Sequence, residues 1–326
     1  MPPRIPQSIF FVFLLFSLLS PGIAPGESFP TRPIDLYIPF APGGISDTMG
    51  RALGPKLGEV LGQPIVPVNK PGASGALAVA LLAKSKADGY TILIVSNSSL
   101  TVVPHFENMG YNPLSDFTFL CKTYDQTSML VVPADSPFKN FQEVIDFAQK
   151  NPRKLKYGTW GQFSGVHIAM EAIGLEKKIE WGHVPFKGEG PVVPALLGKH
   201  IDLGVLAPGG VPHIKAGKLR LLLVLQGSRS KAFPEAPCFR DVGINFDGKG
   251  SSELMSGIIA PRGLSTAIRK KFEDALKEAV KSHEFLRASA TLGLDPLFLP
   301  GDEFQKEIEV GNRYVGEVVK KIDLKK

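Results

Sequence analysis

The stretch from Ile34 to Arg51 constrains this chain most. Ile34, Leu36 and Ile38 alternate with Asp35 and Tyr37, and Pro39-Phe40 follow. That pattern predicts a short strand closed by a proline. Ala41-Pro42-Gly43-Gly44 predicts a turn, because proline presets one dihedral and glycine accepts the positive φ that other residues avoid. Ser46 and Asp47 are helix-starting residues, and Leu53, Leu57, Val60 and Leu61 continue as a helical apolar face. The order strand, glycine loop, helix start places backbone N–H groups at the positive end of a helix, which suits an anion. There is no GxxxxGK[ST] and no GxGxxG, so neither a P-loop nor a dinucleotide fingerprint is present. A plain connection that binds nothing has the same spacing.

The rest of the chain repeats the alternation. Gly62 to Asn69 holds a second strand, Lys70-Pro71-Gly72-Ala73-Ser74-Gly75 a further glycine turn, and Ala76 to Lys86 a helix. Tyr90 to Val95 is a near-continuous apolar strand of the kind buried on both faces of a parallel sheet. Ser96-Asn97-Ser98-Ser99 then falls at a strand end, where open α/β sheets place ligands. Met129 to Pro133 predicts a strand and Phe141 to Lys150 a helix. Next comes a second glycine passage, Gly158-Thr159-Trp160-Gly161-Gln162-Phe163-Ser164-Gly165-Val166-His167, leading into a helix. Its architecture repeats the first loop, which suggests two related lobes facing each other. Strands follow at Trp181 to Phe186, Ile201 to Leu206, Leu219 to Leu225 and Leu254 to Ala260. A short helix is expected at Val192 to Leu197, and amphipathic helices at Thr266 to Ser282 and Asp302 to Lys320. The fold class is therefore α/β. Lobe 1 is expected over 27–126 plus 252–326 and lobe 2 over 127–251. Hinges are expected near Tyr124 to Met129 and Gly248 to Ser252.

Residues 1–26 read as a secretory signal peptide: Arg4, an apolar run from Ile9 to Leu19 too short to cross a bilayer, then small residues and helix breakers. A mature protein outside the membrane follows, periplasmic in location. At 326 residues, 44% apolar and 21% charged, the composition is that of a globular chain with room for two domains. The net charge of +6 is scattered and forms no basic stripe interleaved with aromatics, which argues against nucleic acid. Cys121 and Cys238 belong to no CxxC or Cys/His cluster, so no metal site is read. At this size no disulfide framework is needed, and two buried thiols is the preferred reading.

As for chemistry, Ser164 and His167 sit three apart with Asp202 available, but the GxSxG elbow is out of register. His183, His200 and His213 are isolated. Hydrolysis at Ser164 is the alternative from the enzyme class. A binding protein fits better, because a carboxylate can be held by backbone N–H groups, hydroxyls and waters. Asp47 would repel a carboxylate beside it, so its expected part is to fix the loop amides, or to meet an amine or hydroxyl of the ligand.

Arg32-Pro33-Ile34 and Pro39-Phe40-Ala41-Pro42-Gly43-Gly44, with Asp47 and Arg51, resemble the opening of the Bug-type receptors. These are the extracytoplasmic solute-binding proteins of tripartite tricarboxylate transporters. The likeness continues through Leu61-Gly62-Gln63-Pro64, Asn69 to Gly75, Ala87 to Thr91, Tyr157-Gly158-Thr159, Ser164, His167, His183 to Gly188, Ala216 to Arg220 and Ala260-Pro261 with Gly263. The resemblance implies a two-lobed periplasmic-binding-protein-like fold of type II, with a ligand cleft between the lobes and no cofactor. It implies a small di-, tri- or aromatic carboxylate as ligand and the membrane subunits of such a transporter as partners. A ligand sensor docking on a membrane kinase is the alternative partner. The site implied comprises Ala41, Pro42, Gly43, Gly44, Ser46 and Asp47 in the first loop. From the second loop come Thr159, Trp160, Phe163, Ser164 and His167, with Ser96, Asn97, Leu206 and Ala207 lining the cleft. Trp160 and Phe163 stand where the family has small residues, Lys70 where arginine is common, and a tryptophan usual near Leu254-Met255 is missing. The two aromatics suit an apolar ligand body.

Overall fold

The computed structural model describes residues 29–186, 188–230, 233–245 and 254–321. Eleven strands are assigned among them: β1 Ile34–Ile38, β2 Ile65–Asn69, β3 Thr91–Ser96, β4 Phe117–Gln126, β5 Met129–Pro133, β6 Lys156–Thr159, β7 Gly182–Pro185, β8 Leu203–Leu206, β9 Leu219–Val224, β10 Leu254–Pro261 and β11 Asp295–Pro300. The helices are α1 Ile45–Leu61, α2 Ala76–Ala83, α3 Ser98–Thr101, α4 Phe141–Lys150, α5 Gly165–Lys177, α6 Val192–Leu197, α7 Val211–Lys215, α8 Thr266–Ala279, α9 His283–Leu292 and α10 Gly301–Lys321.

The strands form two sheets, ordered β2-β1-β3-β10-β4-β11 and β7-β6-β8-β5-β9. Each contains three adjacent parallel strands (β2-β1-β3 and β7-β6-β8) followed by an antiparallel one. In each, the middle parallel strand leads through a glycine loop into a helix, β1 into α1 and β6 into α5. The two loops thus hold equivalent places at the carboxyl ends of their strands, where such sheets take ligands.

Alternation explains the core. On β3, Ile92 and Ile94 turn to the face covered by α1 and α8, where Leu36, Leu53, Leu57 and Phe272 meet them. Leu93 and Val95 turn to the opposite face, against Val79 and Leu82 of α2 and Phe304 of α10. A strand covered on both sides is apolar throughout, as the sequence suggests. Its neighbours are mixed, however: β1 is parallel to it and β10 antiparallel. In the second sheet Leu130, Val132, Leu203 and Val205 pack on α4 and α5, while Met129, Val131 and Leu206 pack on α6.

The chain leaves the first sheet after Gln126 and enters the second at Met129; it is back in the first at β10. The expected crossing at Gly248 to Ser252 lies outside the described residues. Helix α10, about 32 Å long at 1.5 Å per residue, bridges the two cores. Phe304 and Ile308 lie in the first, while Val315 and Val318 pack into the second. Buried Lys122 of β4 anchors this helix, pairing with Glu307 at 2.8 Å and Asp125 at 3.0 Å.

Three elements escape the pattern. The expected helix from Thr266 to Ser282 ends at Ala279, and Ser282 instead caps a separate helix α9, accepting from the Phe285 N–H at 3.3 Å. Strand β11 carries Pro296 and Pro300 and survives only as the sheet edge, with its register broken between Pro296 and Leu299. Strand β4 is polar at Lys122, Thr123 and Asp125, and its place beside β10 comes from tertiary partners. Cys121 and Cys238 are both buried and free, as preferred, and burial pushes the Cys121 thiol up.

Candidate functional site

A cleft of about 710 Å³ lies between the two glycine loops. Ala41, Pro42, Gly44 and Ser46 line it from the first loop and the start of α1; Trp160, Phe163 and Ser164 line it from the second loop; Ser96 lines it at the end of β3. The two passages singled out in the sequence therefore share one crevice.

Helix α1 begins differently from the expectation. Gly44, with φ −77° and ψ 173°, occupies the cap position, and no side chain caps the first turn. Ser46 and Asp47 lie inside the helix. The N–H groups of a first turn have no partner within the helix, and here Gly44, Ile45 and Ser46 face the cleft. Asp47 is buried and ties the loop together. Its carboxylate accepts from the Gly43 N–H at 2.9 Å, from Arg51 Nε at 3.0 Å and from Asn69 Nδ2 at 2.9 Å. The Arg51 bond is the main reason its pKa is lowered to about 2. Asn69 also donates to the Phe40 carbonyl at 2.9 Å, closing the loop onto β2. Gly43 itself, at φ +86°, makes the turn and spends its amide on Asp47, so neither residue lines the cleft.

The second loop is built from stacked rings. Phe163 has φ +59°, a conformation an aromatic residue rarely adopts, and its N–H donates to His167 Nδ1 at 3.2 Å. Its ring stacks on Phe106 at 4.1 Å. The His167 ring stacks on His183 at 3.9 Å, and His183 on Tyr157 at 4.9 Å. Thr159 Oγ1 donates to the Gly161 carbonyl at 3.0 Å and accepts from His183 Nε2 at 2.7 Å. Ser164 caps α5: its hydroxyl donates to the Gly161 carbonyl at 2.9 Å and accepts from the His167 N–H at 3.4 Å. The His167 ring faces the Phe163 amide, so the serine is a cap and has no imidazole base beside it.

Burial lowers His167 to about 3 and His183 to about 4, so both are neutral at pH 7. Once unfolded they take up protons below about 6.5. The unfolded chain then binds more protons than the folded one between that pH and the folded values, so stability falls on acidification. We expect chemical unfolding at pH 7, 5.5 and 4.5 to show a steady loss, and His183→Gln to flatten it. An unfolding free energy that rises from pH 7 to 4.5 would contradict this.

Thr159, His167, Asn97, Leu206 and Ala207 are buried behind the cleft wall and do not line it. Asn97 serves from beneath, its side-chain oxygen accepting from the Met255 N–H at 3.3 Å. The wall also includes Ser98, Gly161 and Gln162 from stretches the sequence marked, and residues outside the implied site: Phe40, Ile45 and Ser74 near the first loop, Gly188 on the far side, and Tyr124, Gln126, Met255 and Ser256. The last four come from β4 and β10, which meet only through long-range pairing. Tyr124, whose pKa burial raises, is hydrogen-bonded to Ser46 and Ser256. Among the described residues no cluster of His, Cys, Asp or Glu could hold a metal, and no helix is long and apolar enough to cross a membrane.

Residues 49–324 match the profile of the tripartite tricarboxylate transporter family receptor, TctC. The chain belongs to this receptor family. A relative from Cupriavidus necator, the UPF0065 protein in the gbd 5′ region, is 32% identical over 92% of this chain and 88% of its own length. Among solved structures, a TctC solute-binding protein from Polaromonas superposes with TM-score 0.80 at 24% identity, over 90% of this chain and 100% of that one. The R. palustris protein Rpa4515, solved with adipate, gives 0.75 at 27% identity over 90% and 97%. The two-lobed α/β fold expected from the Bug-type resemblance is the TctC fold.

Proposed function

We propose that this chain is a periplasmic substrate-binding receptor. It captures a small organic carboxylate between its lobes and delivers it to the membrane subunits of a tripartite tricarboxylate-type transporter. It performs no catalysis, and residues 1–26 act as the secretory signal. The observation that carries this reading is the shared cleft: two glycine loops, one per sheet, with the uncapped first turn of α1 opening into it. Partial positive charge at such a turn stabilises an anion without a cationic side chain. Ser46 and Ser96 supply hydroxyls, and Asp47 holds the loop in shape. Each hydrogen bond to a charged group contributes about 1.5–3 kcal/mol, and micromolar binding needs about 8 kcal/mol, so a few contacts suffice. The adipate in Rpa4515, a protein of the same fold, supports a carboxylate here. Closure would bend the chain near Tyr124 to Met129, where it passes from the first sheet to the second.

A thermal-shift screen against mono-, di-, tri- and aromatic carboxylates tests the reading. At a hundredfold excess over its dissociation constant, a true ligand adds about 2.7 kcal/mol of stability. A screen in which no carboxylate raises the melting temperature would reject the proposal.

A further inference from the structure

We propose that the cleft selects a monocarboxylate with a flat apolar body over di- and tricarboxylates; this rests on the carboxylate reading above. The two walls differ in chemistry. The first lobe brings the open turn of α1 and the hydroxyls around it, suited to one anionic group. The second lobe brings Trp160 and Phe163, and the cap of its own helix α5 is already filled by Ser164. Phe163 is held at φ +59° by its bond to His167, and one face of its ring is covered by Phe106. A bulky side chain keeps that conformation only where its surroundings fix it. Phe40 adds a partly exposed ring from the opposite loop, and Met255 a thioether at the floor.

Among the described residues no arginine, lysine or histidine side chain lines the cleft. Arg51 stands outside it, neutralised by Asp47. A second carboxylate pressed against the Trp160 and Phe163 wall would lose its water and meet no countercharge among the described residues. An aromatic or cycloaliphatic body would stack on those rings and displace water from apolar surface. Pockets of this volume hold ligands of such size.

Isothermal titration of the purified chain with phenylacetate, cyclohexanecarboxylate, adipate, citrate and phenylacetamide decides the matter. We expect phenylacetate to bind at least about tenfold more tightly than adipate or citrate, a difference of about 1.4 kcal/mol. Trp160→Ala should weaken phenylacetate about tenfold, and Trp160→Phe should restore most of it, because a ring is what the wall supplies. Adipate or citrate binding as tightly as phenylacetate would overturn the selectivity and leave the carboxylate reading standing. Phenylacetamide matching phenylacetate would instead remove the carboxylate reading. Titrations silent for every acid would end both.

Discussion

Gly44→Val is expected to leave the chain folded while lowering its affinity for a carboxylate by about 10–100-fold, or 1.4–2.8 kcal/mol. Gly44 sits at φ −77°, which any residue tolerates, and the nearest atom to an added Cβ is the Ala41 carbonyl oxygen at 3.6 Å, an ordinary contact. The new methyl groups would stand at the mouth of the α1 first turn, in the space where the anion must approach the Ile45 and Ser46 amides. Gly43 makes the instructive contrast. Open space surrounds its Cβ direction, but its φ of +86° makes any side chain strained. Substitution there disturbs the loop itself, whereas substitution at Gly44 should act on binding. Calorimetry against the best carboxylate from the screen, with circular dichroism to check folding, measures the effect. A folded Gly44→Val protein with unchanged affinity would show that the anion sits elsewhere.

Gly257→Val carries the largest expected cost in stability, about 3 kcal/mol or more. Gly257 is in β10, paired on one side with β3 and on the other with β4. An added Cβ would collide with the Cys121 backbone carbonyl and the Phe304 ring of α10. A carbonyl inside a sheet ladder cannot swing aside as a side-chain end can, so the strand or the helix must move. That displacement would also loosen Met255 and Ser256 at the cleft floor. Gly54→Ala is the control. Its Cβ would meet Ile65 at 3.7 Å, an ordinary contact, and alanine is the better helix former by about 1 kcal/mol. Urea unfolding of both variants tests the pair; Gly257→Val matching the parent midpoint would refute the packing account.

Much of the architecture is legible in the residues because it is local. The Ile34–Ile38 strand, the Phe141–Lys150 helix and the Val192–Leu197 helix fall where alternation and helical spacing put them. The glycine loops are legible for the same reason, since turn chemistry acts over four or five residues. What distance along the chain hides is the rest. Lys122 looks like a surface residue until Glu307 reaches it from α10, 185 residues further along the chain. The prolines of β11 argue against a strand, and only its position at an edge permits one.

Within the cleft the division is similar. The sequence alone marks both loops and the helix that follows each, because those interactions span a few positions; for Asp47 it offers either fixing the loop amides or meeting an amine or hydroxyl of the ligand, and the structure shows the first. It cannot distinguish Ser164 as a cap from Ser164 as a nucleophile, since that depends on where the His167 ring turns. It also hides Tyr124, Gln126, Met255 and Ser256, which become neighbours only when β10 returns antiparallel between β3 and β4. Residue pattern determined that this chain folds as α/β with two glycine loops, each leading from a strand into a helix. Tertiary packing decided that both loops open into one crevice and which side chains wall it, because burial and long-range strand pairing are set by the whole chain and by no single stretch of it.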